Sequence, residues 1–396
     1  MPEHNIHHLA SFLENWTKND KYFEMLRLMA QLSRLFSESK TPYLDYRLTE
    51  NLFCRYFKAL NDARSCTVYD ARIGSVGIGI KTFILNGSDQ STEKIAEFNK
   101  LKKELDGLTK MDLAKKIAQF RNERMQFANN QYGVSETQYH IVGRKEGLLR
   151  VFNTPYEEVD IDHLHLESDT ATSCRFNDEK NEYTFNKSKS VLMKRFTVPH
   201  VHFDVEVEIF DEPLMLLEQF FNNQKQGISL AKKMGKGQDF VMLPLYSYTK
   251  AKGKYVAEKS GLNQFNACGR RRNPLEVYIP IPKDVHNHYP NFFPKRDEPF
   301  SLLLPNGEHL SAKICQDGGK ALMSNPNLAL GQWILRDVLK KKEGELVTID
   351  DLNRLGFDSV CVEKLHKKTP DGLEIFKIYF ADSEMNYESF IENNRF

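Results

Sequence analysis

Val277-Tyr278-Ile279-Pro280-Ile281-Pro282, Pro290-Asn291-Phe292-Phe293-Pro294 and Lys320-Ala321-Leu322-Met323-Ser324-Asn325-Pro326-Asn327 are the stretches on which the fold of the C-terminal half turns. The first belongs to an apolar run at residues 275–281 that reads as a strand. The last is small, polar and rich in amides, and it lies between a strand at 309–315 and the helix carrying Trp333. Further strands are expected at 241–246, 300–304 and 376–380, and helices at 328–338 and 349–355. Residues 236–396 therefore read as a mostly-β domain. Ahead of these stretches, Glu258-Lys259-Ser260-Gly261-Leu262-Asn263-Gln264-Phe265-Asn266-Ala267-Cys268-Gly269-Arg270-Arg271-Arg272 packs amides, a hydroxyl and three arginines around two larger apolar anchors.

The net charge of +1 hides a strong asymmetry along the chain. Residues 151–224 carry fifteen Asp/Glu against six Lys/Arg, whereas residues 229–275 carry ten Lys/Arg against Asp239 and Glu258. A local basic surface suits a polyphosphate partner, because each neutralised phosphate releases a condensed counterion. Asn and Gln pair bidentately with adenine and Arg with the O6/N7 edge of guanine, while glycines let the backbone approach phosphates. No run of eighteen apolar residues is present, so no membrane span is expected. The N-terminus lacks the basic start and apolar block of a secretory signal, and the chain reads as cytoplasmic. The six cysteines show no paired spacing, which argues against a zinc site or a disulfide framework.

Residues 1–196 read as an α/β domain and 197–235 as a connecting segment. Helical spacing covers 12–37, and Thr49 is the expected N-cap of a second helix. Short strands at 66–69 and 78–85 flank a Gly-rich turn. Two charged amphipathic helices are expected at 93–105 and 111–128, followed by strands at 138–142, 148–152 and 173–185. The segment after Thr197 holds a strand at 203–210 and a short helix after Pro213.

The stretches quoted at the outset, together with Gly331-Gln332-Trp333-Ile334-Leu335 and Gly356-Phe357-Asp358-Ser359-Val360, resemble the B3-like DNA-recognition domain of type II restriction endonucleases, as in the NgoFVII-type family. The resemblance spans roughly 239–380. It implies a seven-stranded open pseudobarrel gripping the major groove of double-stranded DNA between two arms, at 259–272 and 319–327. Base contacts are then expected from Asn263, Gln264, Asn266, Arg270, Arg272, Ser324, Asn325 and Asn327, with Ser260 and Arg271 alongside. Lys254, Lys259 and Lys320 are expected to position phosphates.

In restriction enzymes such a domain accompanies a nuclease domain. A phospholipase-D-like, metal-independent site needs a His-x-Lys pair, and none is present in residues 1–235, where the nuclease domain is expected. A PD-(D/E)xK-like site needs carboxylates on adjacent strands to hold Mg²⁺ and a lysine to orient the attacking water and stabilise the charge on phosphorus. Asp70 at the end of one strand, Lys81 in the middle of the next and Glu50 on the preceding helix fit that requirement. The acidic position two before the lysine is Gly79. Glu97, on the helix expected at 93–105, is the preferred replacement, with Glu93 and Glu50 as alternatives. The expectation is a Mg²⁺-dependent type II restriction endonuclease with catalytic residues Asp70, Lys81, Glu97 and Glu50, of which Asp70, Glu97 and Glu50 are metal ligands. The alternatives are a non-catalytic DNA-binding specificity subunit with a degenerate nuclease domain and a phospholipase-D-like nuclease. Cutting both strands needs two active sites or two events, so a homodimer on DNA is one expected arrangement. The resemblance further implies a cognate DNA methyltransferase as genetic partner and, as in some relatives, a separate ATPase subunit.

Overall fold

The computed structural model describes residues 8–62, 68–223, 240–267, 272–381 and 386–393. The chain divides into two units. The first comprises Met1–Ala63, Val68–Asn122 and Val134–Gly237, and the second is built chiefly from Gln238–Phe396 with Glu123–Gly133 added.

In the first unit, Val76–Ile84 is the strand from which the architecture grows. Its even positions Val76, Ile78 and Ile80 are fully or almost fully buried, and they face helices Asp20–Gln31 and Tyr46–Phe57 in one apolar cluster. It closes a tight hairpin with Ala71–Ile73 through Gly74, whose positive φ of 57° suits a residue without Cβ. On its other side it pairs in parallel with Glu136–Lys145. A parallel pair cannot be joined by a hairpin, so a long crossover is required; it contains the helix Lys110–Tyr132. The resulting six-stranded sheet runs Leu60–Asn61, Ala71–Ile73, Val76–Ile84, Glu136–Lys145, Leu148–Pro155, His202–Glu206. A second, five-stranded antiparallel sheet runs Gln90–Glu97, Val191–Thr197, Glu182–Asn186, Ser173–Asn177, His165–Asp169. Leu113, Ala114, Ile117, Ala118 and Phe120 of the crossover helix share a core with this sheet.

Several expected elements shift. The helix expected at 93–105 is the strand Gln90–Glu97 followed by two short helical turns to Leu105. Thr49 lies inside the helix Tyr46–Phe57; the N-cap is Asp45, which accepts from the amides of Arg47 and Leu48. Cys66 and Thr67 of the strand expected at 66–69 lie outside the described residues, and Asp70 directly precedes the strand Ala71–Ile73. The N-terminal unit also continues past Phe196, because His202–Glu206 is hydrogen-bonded to Leu148–Pro155 as the sheet's last strand.

The second unit contains a seven-stranded sheet in the order Phe240–Pro244, Ser359–Lys368, Glu374–Ala381, Pro299–Leu303, His309–Cys315, Ala321–Ser324, Ile279–Pro280. Only Pro299–Leu303 and Glu374–Ala381 pair in parallel. The two end strands come close without pairing, so the sheet curls into an open barrel. Its interior is filled by Phe300, Phe376, Ile378, Leu322 and Val362, with Trp333 closing one side and donating its indole N–H to Gln131. The mostly-β, seven-stranded expectation agrees with this. The strand Ile279–Pro280 is shorter than the run 275–281, and Ala321–Ser324, read as part of a polar loop, is a strand.

One buried group makes the N-terminal core pH-sensitive. His140 is fully buried among Phe12, Trp16, Tyr22 and Phe53, 2.9 Å from the Tyr22 hydroxyl and 2.8 Å from Asn153 Oδ1. Burial pushes its pKa down from 6.5 to about 4, against the hydrogen bond to Asn153. Between these values the unfolded chain binds a proton that the folded one refuses, so stability falls as pH drops from 6.5 to 4. The loss is on the order of 3 kcal/mol. A histidine NMR titration should find the His140 ring still neutral at pH 5, and urea midpoints should fall across the same interval.

Candidate functional sites

The first candidate site gathers where helix Tyr46–Phe57 meets the hairpin. Glu50 is only 5% exposed, and its Oε2 accepts from Arg47 Nη1 at 3.1 Å, one helical turn earlier. Asp70 is held by its backbone N–H, which donates to Ile78 O at 2.9 Å, and by its carboxylate, which accepts from Ile80 N–H at 2.6 Å. Beside it a buried Asp62–Arg72 ion pair links the residue after the edge strand Leu60–Asn61 to the hairpin. Lys81 lies on the second hairpin strand, two residues beyond Gly79.

The electrostatics tie these four side chains together. Burial, and then the negative charge of Asp70, pushes the Glu50 carboxyl up to about 7, while Arg47 and Lys81 pull it down. Burial likewise raises Asp70, opposed first by Lys81, then by the Ile80 amide and by Arg47. Two buried carboxyls with raised proton affinity, one of them raised further by the other's charge, form beside two cations a donor pair that a hard divalent ion would relieve. Mg²⁺ is commonly held by one or two carboxylates, with water and phosphate oxygens completing its shell. Glu50 and Asp70 fit that role. Among the described residues no group of three or more His, Cys, Asp or Glu side chains is placed to hold a metal.

Gly79 is where this site departs most from the expected pattern. A Cβ there would lie 2.6 Å from Tyr156 Cε1 and 2.9 Å from the Tyr139 ring. These two rings stack at 3.8 Å, with the Arg121 guanidinium 5.1 Å from the Tyr156 centroid and Lys194 Nζ 5.6 Å from that of Tyr139. The space expected to receive a relocated carboxylate is thus filled by aromatic packing. Glu97 lies on a strand instead of a helix, half-exposed, paired with Lys94 at 3.2 Å and hydrogen-bonded by Asn99. The carboxylate brought to Asp70 is Glu50. Arg121 itself is buried.

The second candidate site lies on the barrel. A groove of about 540 Å³ is lined by Gln264, Arg272 and Glu276 from one segment and by Met323, Asn325 and Asn327 from the other, with Tyr278, Lys313 and Gln316 between them. Arg272 donates to Glu276 at 2.9 Å, and the Gln264 side-chain oxygen accepts from the same guanidinium at 3.2 Å. The second segment is fixed from behind: His286 Nε2 donates to Gly319 O at 2.9 Å, and Ile281 N–H to Lys320 O at 2.7 Å. Lys259, Asn266, Lys320 and Asn325 are exposed, and Ser260 and Asn327 partly so.

Three residues assigned to DNA contact do structural work instead. Asn263 is fully buried; its amide donates to Ala257 O and Val347 O, and its carbonyl accepts from Val347 N–H at 2.8 Å. Ser324 is buried, its Oγ accepting from Leu330 N–H at the start of the following helix. Lys254 is gripped by Asp358 and Glu388, each at 2.9 Å, which raise its pKa despite burial. Arg270 and Arg271 lie outside the described residues. The sequence reading missed Arg47, Glu276 and Lys313. The first two carried a readable signal, an opposite charge three or four residues away.

Residues 240–366 match the family model described as the NgoFVII C-terminal B3-like DNA-binding domain. No curated protein matches the chain. The match supports a C-terminal DNA-binding domain of the restriction-enzyme type, carried here by the curled seven-stranded sheet. DNA is the partner that this domain defines. No helix among the described residues is long and apolar enough to cross a membrane.

Asn263→Ala should destabilise the C-terminal domain by about 3 kcal/mol, since it strands buried backbone groups. Asn325→Ala should leave the thermal midpoint unchanged, as calorimetry of both variants would report. Gly79→Asp should lower the midpoint by the equivalent of at least about 2 kcal/mol, because neither tyrosine ring can yield without unstacking.

Proposed function

We propose that this chain is a Mg²⁺-dependent, site-specific endonuclease of double-stranded DNA. The observation that carries the reading is the convergence of Glu50, Asp70 and Lys81 in a chain whose C-terminal domain matches a restriction-enzyme DNA-binding family. Asp70 and Glu50 would hold Mg²⁺, which lowers the pKa of water and offsets charge developing on phosphorus. Lys81 orients the attacking water and stabilises the added negative charge on the phosphate oxygens. The Ile80 amide keeps the Asp70 carboxylate turned into the site. Bases are read by groove residues, with Asn325, Asn327, Gln264 and Arg272 offering amide and guanidinium donors. Lys259 and Lys320, exposed beside the two segments, contact phosphates. Double-strand cleavage by a homodimer on DNA, a companion methyltransferase and an ATPase subunit belong to the same proposal.

Gly79 favours a second reading, a DNA-binding specificity subunit whose nuclease domain no longer cuts, since no carboxylate can be accommodated there. Plasmid or phage DNA incubated with Mg²⁺ separates the two. The wild type should cut, and Lys81→Ala and Asp70→Asn should each lower the rate on the order of 10²–10⁴-fold. Specific binding without nicking in any divalent metal would establish the second reading, whereas cleavage persisting in EDTA would point to phospholipase-D-like chemistry. In the same preparation, Asn325→Ala should weaken binding to the cognate duplex about tenfold or more while leaving random duplex nearly unaffected.

A further inference from the structure

We propose that Glu276 is a positioning residue for base reading: with Gln264 it holds the Arg272 guanidinium so that one bidentate edge is left for a guanine, and Gln264 is thereby withdrawn from reading adenine. The inference rests on the reading of the barrel groove as the place where bases are recognised. It starts from a group that is out of place there. A carboxylate on the wall of a DNA groove repels phosphates, yet Glu276 lines this one, its side chain only 8% exposed. Arg272, paired with it, is 15% exposed. At that depth water screens the contact little, and it restrains both side chains as an ion pair on the open surface does not.

The backbone brings the three residues together. Tyr278 N–H donates to Gly261 O at 3.0 Å, which ties the stretch after Glu276 to the helical turn Gly261–Asn266 that carries Gln264. A Cβ on Gly261 would run into Tyr278 O, so the approach requires glycine. Glu276 N–H donates to Asn273 O at 2.9 Å and closes the turn between Arg272 and Glu276.

The bonds to the guanidinium are unevenly placed. Glu276 Oε1 accepts from Nη1 at 2.9 Å. The Gln264 oxygen accepts from Nη2 at 3.2 Å and from Nη1 as well. An acceptor shared by Nη1 and Nη2 takes the end of the fork. The other bidentate edge, Nε–H with the second Nη2 hydrogen, is left over, and Nε is buried with no hydrogen-bond partner among the described residues. Two parallel donors match the O6 and N7 acceptors of guanine. Nε is covered in the free protein, so the base must part the side chains over it as it docks, and it gains the bond that an orphaned donor lacks. Reading adenine would require Gln264 to accept from N6 with the oxygen that Arg272 already holds.

The test begins with selection of binding sites by the full-length protein from a randomised duplex pool, in EDTA to suppress metal-dependent cleavage. Fluorescence anisotropy then compares the selected duplex with a random one for the wild type, Arg272→Ala, Glu276→Ala, Glu276→Gln and Gln264→Ala. The selected site should contain a guanine whose replacement by 7-deazaguanine, which lacks the N7 acceptor, weakens wild-type binding about fivefold to fiftyfold. Arg272→Ala should abolish that sensitivity. Glu276→Ala should remove most of it and weaken the selected duplex, while affinity for the random duplex holds or rises, because a negative charge has left the groove. Glu276→Gln keeps an acceptor for Nη1 and should retain most of the sensitivity. Gln264→Ala should act like Glu276→Ala, with no preference lost at any A·T pair. Sensitivity that stays intact in Glu276→Ala overturns the proposal, as does a selected site with no such guanine. Equal losses on both duplexes, in a variant whose circular dichroism and melting match the wild type, or a lost adenine preference in Gln264→Ala, overturn it too. If Glu276→Ala does not fold, Gln264→Ala carries the test. Enrichment of no sequence at all by the wild type refutes base reading by the groove itself, a result distinct from enrichment without guanine dependence.

Discussion

The parallel pairing of Val76–Ile84 with Glu136–Lys145 is the constraint on which the N-terminal unit depends. Once it forms, the connection must leave the sheet and return, which calls for the long helix Lys110–Tyr132 and leaves room for the strand Gln90–Glu97 to join a different sheet. The strand's period of two then separates two environments. Its even residues complete the apolar core under the helices, and the small residues Gly77 and Gly79 let aromatic rings from neighbouring segments lie directly on the backbone. The hairpin back to Ala71–Ile73 sets Asp70 against the same strand, where Ile80 N–H fixes its carboxylate.

Charge burial is the recurring theme of this unit. Glu50 and Asp70 are brought together at a cost that Arg47 and Lys81 only partly offset, and both carboxyls hold protons more tightly than usual as a result. Functional sites tend to collect such groups, because a poised, unfavourably charged cluster gains most when its ligand arrives. The buried Arg121 and Lys194 are different in kind. They lie over tyrosine rings, whose π-faces offset part of the cost of burial, and Asp178 and Glu157 add to this for Lys194.

In the C-terminal unit the polar side chains divide by burial. Asn263 and Asn325 belong to similar amide-rich stretches, and nothing in their composition tells them apart. Asn263 brackets the backbone of Val347, eighty-four residues away in sequence, whereas Asn325 faces the groove. The same division separates Lys254, held by two carboxylates, from the exposed Lys259 and Lys320. A protein that reads DNA needs amides of both sorts, because side chains that meet bases must be carried by loops of fixed shape.

Local signals were legible wherever the decisive interactions are local. The helix Ile349–Leu355 falls on the residues expected for it, and its ends are set locally, by the Thr348–Asp351 capping box and the left-handed C-cap Gly356. The strand His309–Cys315, the crossover helix and the mostly-β character of the second unit were likewise visible in apolar periodicity. Gln90–Glu97 was misread as helix because its Glu, Lys and Ala content favours helix; its strand state comes from Val191–Thr197, about a hundred residues on. The amino-acid sequence by itself determined the two-part organisation, the DNA-binding character of the C-terminal domain and the closeness of Asp70 and Lys81 along the chain. Tertiary structure alone decided that Glu50 and not Glu97 joins Asp70, that Gly79 lies under two tyrosines, and which amides are left for a ligand. Each of those outcomes depends on which distant segments pack together, and residue type carries no record of that.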